Sequence, residues 1–443
     1  MSVSNIHNYI EHHKSKIYTY LLMLVVATLF LKKENINSIS IILLAVFWIL
    51  DVGKNIGSLL KSIVNHKLLL FNVIFFSALI YGLLISENQA YALKILQRNL
   101  PFLIFPLVFL RLKKVDVNVN TIKITLIVSA FIASIYCEIT NLGEWQRFNN
   151  SGQYDFSIYD YFTYHWFTYT NLTKGLDLQA SFFALYILTA IIFMLEYTIF
   201  HENKKKILFN LSLFLLAYFT LFMFHLSSRI GLVLLIAVLG YYFFKLRIKT
   251  KYKAFIFLSG TVLLGFILFN SAFIERLKEL RVTLQENVVD KGDNKVNAKK
   301  IRVYALQAYA NQEPIDFFIG RGTGDAQKHL DAFYEKKIVK NVTTVKDEQK
   351  WKFKGMHYHN QFIQTNVETG IFGLVALLLI FFGSLQKGLK HKSRAHVLFI
   401  LICFLFFVAD SVLMRQKGVV FFAFFNILFI LNYYRNETTI QNI

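Results

Sequence analysis

Two histidines stand close together in the segment GMHYHNQFIQTNVETGIFGL, which covers residues 355–374. His357 and His359 directly precede an apolar stretch that begins near Phe362. An imidazole has an unperturbed pKa of about 6.5, which makes it the usual general base near neutral pH. The other reading is structural: a histidine pair at a membrane interface, followed by a helix N-cap. The residues alone leave both readings open.

Two further polar residues belong to the same segment. Asn360 can hold a sugar hydroxyl or cap the following helix, and Glu368 follows His359 by about two and a half helical turns. Two histidines do not make a metal site, and the sequence has no HxxxH, HExxH, CxxC or DxD pattern to complete one. We therefore expect chemistry that uses neither a metal nor another cofactor.

Arginines form a second group of candidates. Arg229, in HLSSRIGLVLL, stands where one apolar run turns directly into the next. It is either a topology anchor that reaches the interface or a clamp for phosphate, since a guanidinium offers two parallel donors and stays charged. Arg302 shares a helical face with Ala305 and Leu306, which predicts that it points to the apolar side. Arg321 by itself reads as a surface charge.

The stretch PIDFFIGRGTGD, residues 314–325, contains Gly320, Gly322 and Gly324. A lone GxGxG is weak evidence for a nucleotide site, and a βαβ setting is missing. The glycines instead predict a tight turn that lets the backbone approach a ligand or the membrane surface.

These residues are carried by a very apolar chain. Of its 443 residues, 55% are hydrophobic and 17% charged, against roughly 25% charged in soluble domains. The chain has 46 phenylalanines and 23 tyrosines but only 3 prolines, and this composition excludes a disordered or collagen-like chain. The net charge of +21 would suggest nucleic acid, but the basic residues cluster in short loops between apolar runs, as the positive-inside rule describes. We therefore expect no nucleic-acid partner.

Twelve apolar runs approach the roughly 20 residues that a transmembrane helix needs. They lie near 17–31, 36–50, 68–85, 99–112, 121–139, 177–200, 207–225, 230–245, 254–273, 367–383, 396–413 and 419–433. The fourth contains Pro101 and Pro106, which predicts a kink or a re-entrant segment. The sequence thus predicts an all-α polytopic membrane protein with about 12 transmembrane helices. Alternate loops carry more than twice as many basic residues as the others, so both termini are predicted to be cytoplasmic.

Two loops on the predicted outer side are long. One spans about 140–176 and is aromatic and polar; the other spans about 274–366 and contains most of the soluble character of the chain. This second loop divides the chain into three parts. Residues 1–273 contain the first nine transmembrane helices, residues 274–366 form the periplasmic catalytic loop, and residues 367–443 contain the last three helices and a cytoplasmic tail. Amphipathic helices are predicted in this loop at 275–288, 299–312 and 325–338.

The combination resembles the O-antigen ligase/polymerase superfamily of bacterial membrane glycosyltransferases. The residues that carry the resemblance are His357-Tyr-His359-Asn360-Gln-Phe362, the following Glu368-Thr-Gly370-Ile-Phe-Gly373-Leu374, the LSSRIGLVLL segment, and the stretch from Arg302 through YALQAYANQEPIDFFIGRGTG. They cover roughly residues 210–385. The pattern does not separate ligases from polymerases, which share it.

The resemblance implies a GT-C-like, metal-independent enzyme of the bacterial inner membrane. Its donor would be an undecaprenyl-diphosphate-linked glycan, and its acceptor would be lipid A–core or another glycan. The protein would also contact membrane lipids, and a chain-length regulator is a further candidate partner. It also implies that Arg229 and Arg302 bind the diphosphate and that His359 is the base. His357 would orient or replace it, and the supporting residues would be Asn360, Glu368, Arg321, Gly322 and Gly324.

Three other functions compete with a ligase. A polymerase would join repeat units to each other, and a protein O-oligosaccharyltransferase would move the glycan onto protein. A secondary transporter is the alternative from another class. Against it stand the lack of half-to-half repetition in the sequence and the small number of ionisable residues at mid-membrane.

Overall fold

The computed structural model describes residues 3–113, 115–201, 205–246, 298–341 and 355–441, and every regular element in these ranges is helical. We number the α-helices in chain order, leaving short 3₁₀ turns unnumbered. Their bounds are α1 Val3–Thr28, α2 Glu34–Val52, α3 Ile56–Ser62, α4 Lys67–Leu84, α5 Gln89–Asn99, α6 Pro101–Leu112, α7 Val119–Asn150, α8 Ile158–Thr163, α9 Ala180–Phe200, α10 Lys206–Leu226, α11 Arg229–Lys245, α12 Ala298–Ala310, α13 Pro314–Ile319, α14 Ala326–Asn341, α15 Gln361–Lys390, α16 Arg394–Ala409 and α17 Gln416–Gln441.

Seven segments of the described chain are long and apolar enough to cross a membrane. They are Glu34–Val52, Lys67–Leu84, Gln89–Leu112, Val119–Asn150, Ala180–Phe200, Lys206–Leu226 and Gln361–Lys390. The protein is therefore an all-helical, polytopic membrane protein, as predicted. The count of twelve spans stays a prediction, since the run at 254–273 lies outside the described residues, as does the helix predicted at 275–288. The helices predicted at 299–312 and 325–338 are α12 and α14.

The two prolines of the fourth apolar run fit a helical span. Pro101 is the first residue of α6, where its missing N–H needs no helical acceptor. The preceding Leu100 has helical backbone angles, so α5 and α6 follow each other as one apolar segment from Gln89 to Leu112. Pro106 lies inside α6.

Two compact units can be distinguished, and the first contains most of the chain. It comprises Met1–Leu29, Glu34–Ile122 and Gly292–Ile443. Within it α15 packs against α4 and α16, and α17 packs against α6. Residues 419–431 of α17 are all buried, because this helix is apolar on every side and takes a central place. Helices α12 and α14 enclose a small apolar core of their own.

The second unit comprises Phe30–Lys33 and Lys123–Lys291. Its central helix is α9, in which residues 180–195 are buried without exception. Helices α10 and α11 pack against it. Gly231 permits the close approach of α11, since a β-carbon there would lie 2.7 Å from the Ala184 side chain.

Candidate active site

The turn after α13 is joined to α15 by backbone hydrogen bonds. The N–H groups of Arg321 and Gly322 donate to the carbonyls of Val367 and Glu368, at 2.7 and 3.1 Å. Helix α15 breaks at Gly370, where φ is 65°. A helix break leaves the preceding carbonyls without their intrahelical partners, so they can accept from the turn. Two of the segments that carry the family resemblance thus bind each other through main-chain atoms.

The glycines of this turn lie directly against the junction of α4 and α5. A β-carbon on Gly322 would lie 2.5 Å from the Ser86 hydroxyl, and one on Gly324 would overlap the Asn88 carbonyl. The Gly324 N–H donates to Ser86 Oγ at 2.9 Å. The close approach predicted for the glycines is therefore made to this chain's own helices. Gly322 and Gly324 fix the position of the loop.

Between the two histidines, Tyr358 is buried in the small core of α12 and α14. Its hydroxyl lies 2.8 Å from Nδ1 of His329, and its N–H donates to Gln364 at 3.3 Å. Tyr358 therefore anchors the histidine segment, while His357 and His359 on either side are only half-buried. An anchored backbone is what a base needs to hold its position relative to a substrate.

His359 faces a carboxylate. Its Nδ1 lies 3.7 Å from Oδ1 of Asp410, which follows the last residue of α16. This separation is that of an ion pair rather than of a hydrogen bond. Both side chains are about a quarter exposed, at 26% and 24%. The backbone of His359 has φ 52°, in the left-handed region that non-glycine residues rarely occupy. Such backbone strain is found most often at functional sites.

Arginines surround this pair. The charges of Arg98 and Arg415 act on His357, and the charge of Arg302 acts on Asp410. Arg98 also donates to the carbonyl of Met414, in the turn between α16 and α17. Three guanidinium groups from three parts of the chain thus lie within electrostatic range of the histidines or of Asp410, and such groups suit a diphosphate.

The expectation that Arg302 points to the apolar side is wrong. Arg302 and Leu306 are both exposed, whereas the buried stripe of α12 is formed by Ile301, Ala305 and Ala308. A spacing of four and then three residues places that stripe on one helical face, with Arg302 beside it. Because its side chain is exposed, Arg302 is accessible to a substrate.

His357 is neutral at physiological pH. Burial lowers its pKa to about 4, and the charge of Arg415 acts in the same direction. Its Nδ1 is buried and has no hydrogen-bond partner among the residues that the structure describes. A neutral imidazole with an unused nitrogen can donate to or accept from a bound group without a change in its charge.

Asn360 and Glu368 have structural contacts. The Asn360 side chain accepts hydrogen bonds from the N–H groups of Phe362 and Ile363, at 2.9 and 3.1 Å, and so caps α15. Glu368 is buried and accepts from the side chain of Gln364 at 2.6 Å. Both residues position the start of α15, which follows the histidines.

Arg229 lies in the second unit. It is the first residue of α11 and is exposed, and the Ser228 side chain caps the same helix. Just before it, His225 at the end of α10 is buried, with Nδ1 2.9 Å from Glu138 and Nε2 3.1 Å from the Tyr161 carbonyl. This polar cluster fixes the helix end that leads to Arg229.

The first unit therefore brings His357, His359 and Arg302 together with three residues that sequence analysis did not select. Asp410, Arg98 and Arg415 complete the cluster. The available signal was their position: each lies on a predicted outer loop or beside one. Arg321 pairs with Asp316 at 2.5 Å. Among the described residues there is no group of three or more His, Cys, Asp or Glu side chains that could hold a metal ion.

Comparison with known proteins gives one family. A family model described as O-Antigen ligase matches residues 211–378. The comparison with curated proteins gave no match. The matched segment runs from α10 through the Arg229 turn and the loop helices to the middle of α15, and so contains Arg229, Arg302, His357 and His359. Over these residues the match confirms the resemblance: this segment is similar to O-antigen ligases.

Proposed function

We propose that this protein is an O-antigen ligase-type glycosyltransferase of the bacterial inner membrane. It transfers a glycan from undecaprenyl diphosphate to a hydroxyl of lipid A–core on the periplasmic side, with both termini in the cytoplasm. The observation that carries the proposal is the partly exposed His359–Asp410 pair with arginines around it. The family match supports a reaction of this type.

The reaction begins at the acceptor. His359 faces Asp410 through Nδ1, which favours the tautomer whose Nε2 can accept a proton. Nε2 takes the proton of the acceptor hydroxyl, and the oxygen attacks the anomeric carbon of the donor sugar. The imidazolium that forms is stabilised by the neighbouring carboxylate.

The donor loses its diphosphate in the same step. The bond between the anomeric carbon and the diphosphate oxygen breaks, its electron pair stays on that oxygen, and the configuration at carbon is inverted. Arg302 stabilises the negative charge of the leaving group, and Arg98 and Arg415 add to the positive potential. A role of Arg229 in diphosphate binding stays a prediction from the family resemblance. A diphosphate leaves readily, which is consistent with chemistry that needs no metal.

The test is a lipopolysaccharide gel from a deletion strain, with the polyprenyl-linked glycans extracted in parallel. We expect bare core on the gel and long polymer stranded on the carrier, and plasmid-borne His359→Ala should fail to restore the ladder. Core that bears a single repeat unit would instead identify a polymerase. An unchanged ladder would refute transfer of this glycan and direct the search to another polymer, to protein glycosylation or to transport.

A further inference from the structure

A polar cavity lies in the second unit, formed by the turn after α1, the last third of α7 and the segment that follows α7. Its volume is about 500 Å³. It is lined by Lys32, Thr140, Asn141, Glu144, Arg147, Phe148, Trp166, Asn171, Lys174 and Gly175. These residues come from two loops that the charge pattern places on the same, outer side of the membrane.

Helix α7 is longer than the membrane is thick, so the cavity at its end lies outside the hydrocarbon core. With 32 residues the helix is about 48 Å long, whereas the hydrocarbon core of a bilayer is about 30 Å thick. The residues of α7 that line the cavity begin at Thr140 and belong to its last third. A cavity at this end can therefore receive a water-soluble group.

Two aromatic rings form part of its wall. Phe148 and Trp166 lie with ring centroids 5.0 Å apart, and both side chains are half-buried. The pair belongs to a larger aromatic cluster with Tyr154 and Phe156, which holds the rings in place. A fixed, partly accessible indole offers a flat apolar surface with a negative face, onto which the C–H face of a pyranose ring can stack.

Polar acceptors stand beside the rings. Asn141 and Asn171 use their NH₂ groups to bind the carbonyls of Phe167 and His165, at 2.8 and 3.0 Å. The amide oxygens keep acceptor capacity. Pockets that combine aromatic walls with a few fixed polar groups are typical of small-ligand sites.

The charges are unbalanced. Glu144 is paired with Arg147, and the Arg147 guanidinium lies 5.7 Å from the centre of the Phe148 ring. Lys32 and Lys174 also line the cavity, and within the described part of the chain neither has an ion-pair partner. Two uncompensated ammonium groups favour a negatively charged ligand.

We infer that this cavity is a saccharide subsite for a sugar that bears a carboxylate. The sugar stacks on Trp166, its hydroxyls donate to the asparagine oxygens, and its carboxylate lies against Lys32 and Lys174. The inference rests on the proposed function in one respect only: it takes the ligand to be part of a glycan that the enzyme handles. It predicts that this glycan contains uronic acid.

The test measures binding without transfer. Full-length protein carrying His359→Ala is purified in detergent, and saturation-transfer NMR is recorded with tetragalacturonate and with maltotetraose as probes. We expect saturation of tetragalacturonate and at least threefold less of maltotetraose. Adding Trp166→Ala or Lys174→Ala should reduce the tetragalacturonate signal at least threefold. Lys94→Ala, an exposed lysine of α5 in the other unit, is the matched control and should change nothing.

Each outcome is informative. Tetragalacturonate signals that survive both Trp166→Ala and Lys174→Ala would overturn the inference, as would the absence of any signal. Equal saturation of the two probes would overturn its anionic part. Lys174→Ala removes only an exposed side chain, so it provides a test even where Trp166→Ala does not fold. Because no donor lipid is present, a positive result stands whether or not the chain transfers glycans in cells.

Discussion

The two units each contain a histidine–carboxylate pair, and the pairs differ in whether a ring nitrogen of the histidine is free to contact a substrate. In the second unit His225 is buried, with Nδ1 2.9 Å from Glu138 and Nε2 3.1 Å from the Tyr161 carbonyl. In the first unit His359 lies 3.7 Å from Asp410 through Nδ1, and it is a quarter exposed. In the described residues, Nε2 of His359 has no partner.

This difference in free nitrogens distinguishes a structural histidine from a catalytic one. A histidine whose two ring nitrogens both contact protein groups has no nitrogen left for a substrate hydroxyl, and so it holds elements together. His396 belongs to the same class, because its ring lies 2.8 Å from the Tyr433 hydroxyl and 3.1 Å from the Asn426 side chain. A histidine oriented at one nitrogen and open at the other is arranged as a general base. The predictions below test this distinction.

The largest effect is expected for His359→Ala. Loss of the base should lower kcat by about 10²- to 10⁴-fold, as is typical of general-base removal, while the apparent melting temperature in detergent stays within about 2 °C. The readout is transfer of radiolabelled glycan by purified protein. His225→Ala is the comparison, and it should lower the melting temperature more than activity. The reverse order of the two effects would contradict the assignment.

Arg302→Lys should follow, with a loss of roughly 100-fold in kcat. Lysine keeps the charge but loses the planar fork that binds two phosphate oxygens. Transfer rates are compared at equal amounts of folded protein. Arg394→Lys, at the first residue of α16 and so at the opposite end of that helix from Asp410, serves as a control for the same chemical change. Near-wild-type transfer by Arg302→Lys would remove the clamp from the mechanism.

Asp410→Asn should have a smaller effect, because Asp410 acts through His359. We expect kcat to fall about 10- to 100-fold with little change in KM, since the amide no longer stabilises the imidazolium. The readout is glycan transfer by purified protein, and a wild-type kcat for Asp410→Asn would show that Asp410 does not act on the base.

Glu138→Leu tests the other pair. It leaves the buried His225 ring and the buried Tyr161 hydroxyl without their carboxylate partner, at a cost of about 1–3 kcal/mol for each unsatisfied group. Thermal unfolding in detergent should show a clear drop in midpoint, whereas kcat of the folded fraction should change less than about tenfold. Glu138→Gln keeps the shape and should recover part of the stability. A loss in kcat as large as that of His359→Ala would give this pair a chemical role.

The smallest effect is expected for His357→Gln. The folded-state pKa of His357 is about 4, below its usual 6.5, so the unfolded chain binds the proton more readily. The contribution of His357 to stability is therefore full above about pH 6.5 and is lost as pH falls toward 4. His357→Gln should flatten the decrease in melting temperature over this window. A decrease of equal slope in both proteins would contradict the buried neutral state.

Local patterns predicted much of this site. The position of His357 and His359 before a helix and the cap at Asn360 follow from short-range sequence. The contact between Asp410 and His359 could not be predicted in this way, because the two residues are far apart in the sequence. Which loops meet depends on helix packing across hundreds of residues, and for the same reason Arg98 could not be selected.

The break at Gly370 has a mechanical consequence. It divides α15 into a polar, buried part that is bound to the loop and a second part, residues 371–390, whose length of about 30 Å equals the thickness of a bilayer core. Tilting of the second part in a thinner or thicker membrane can be absorbed at the glycine, while the first part keeps its hydrogen bonds to Arg321 and Gly322. We therefore expect the histidines to keep their position when the thickness of the membrane changes.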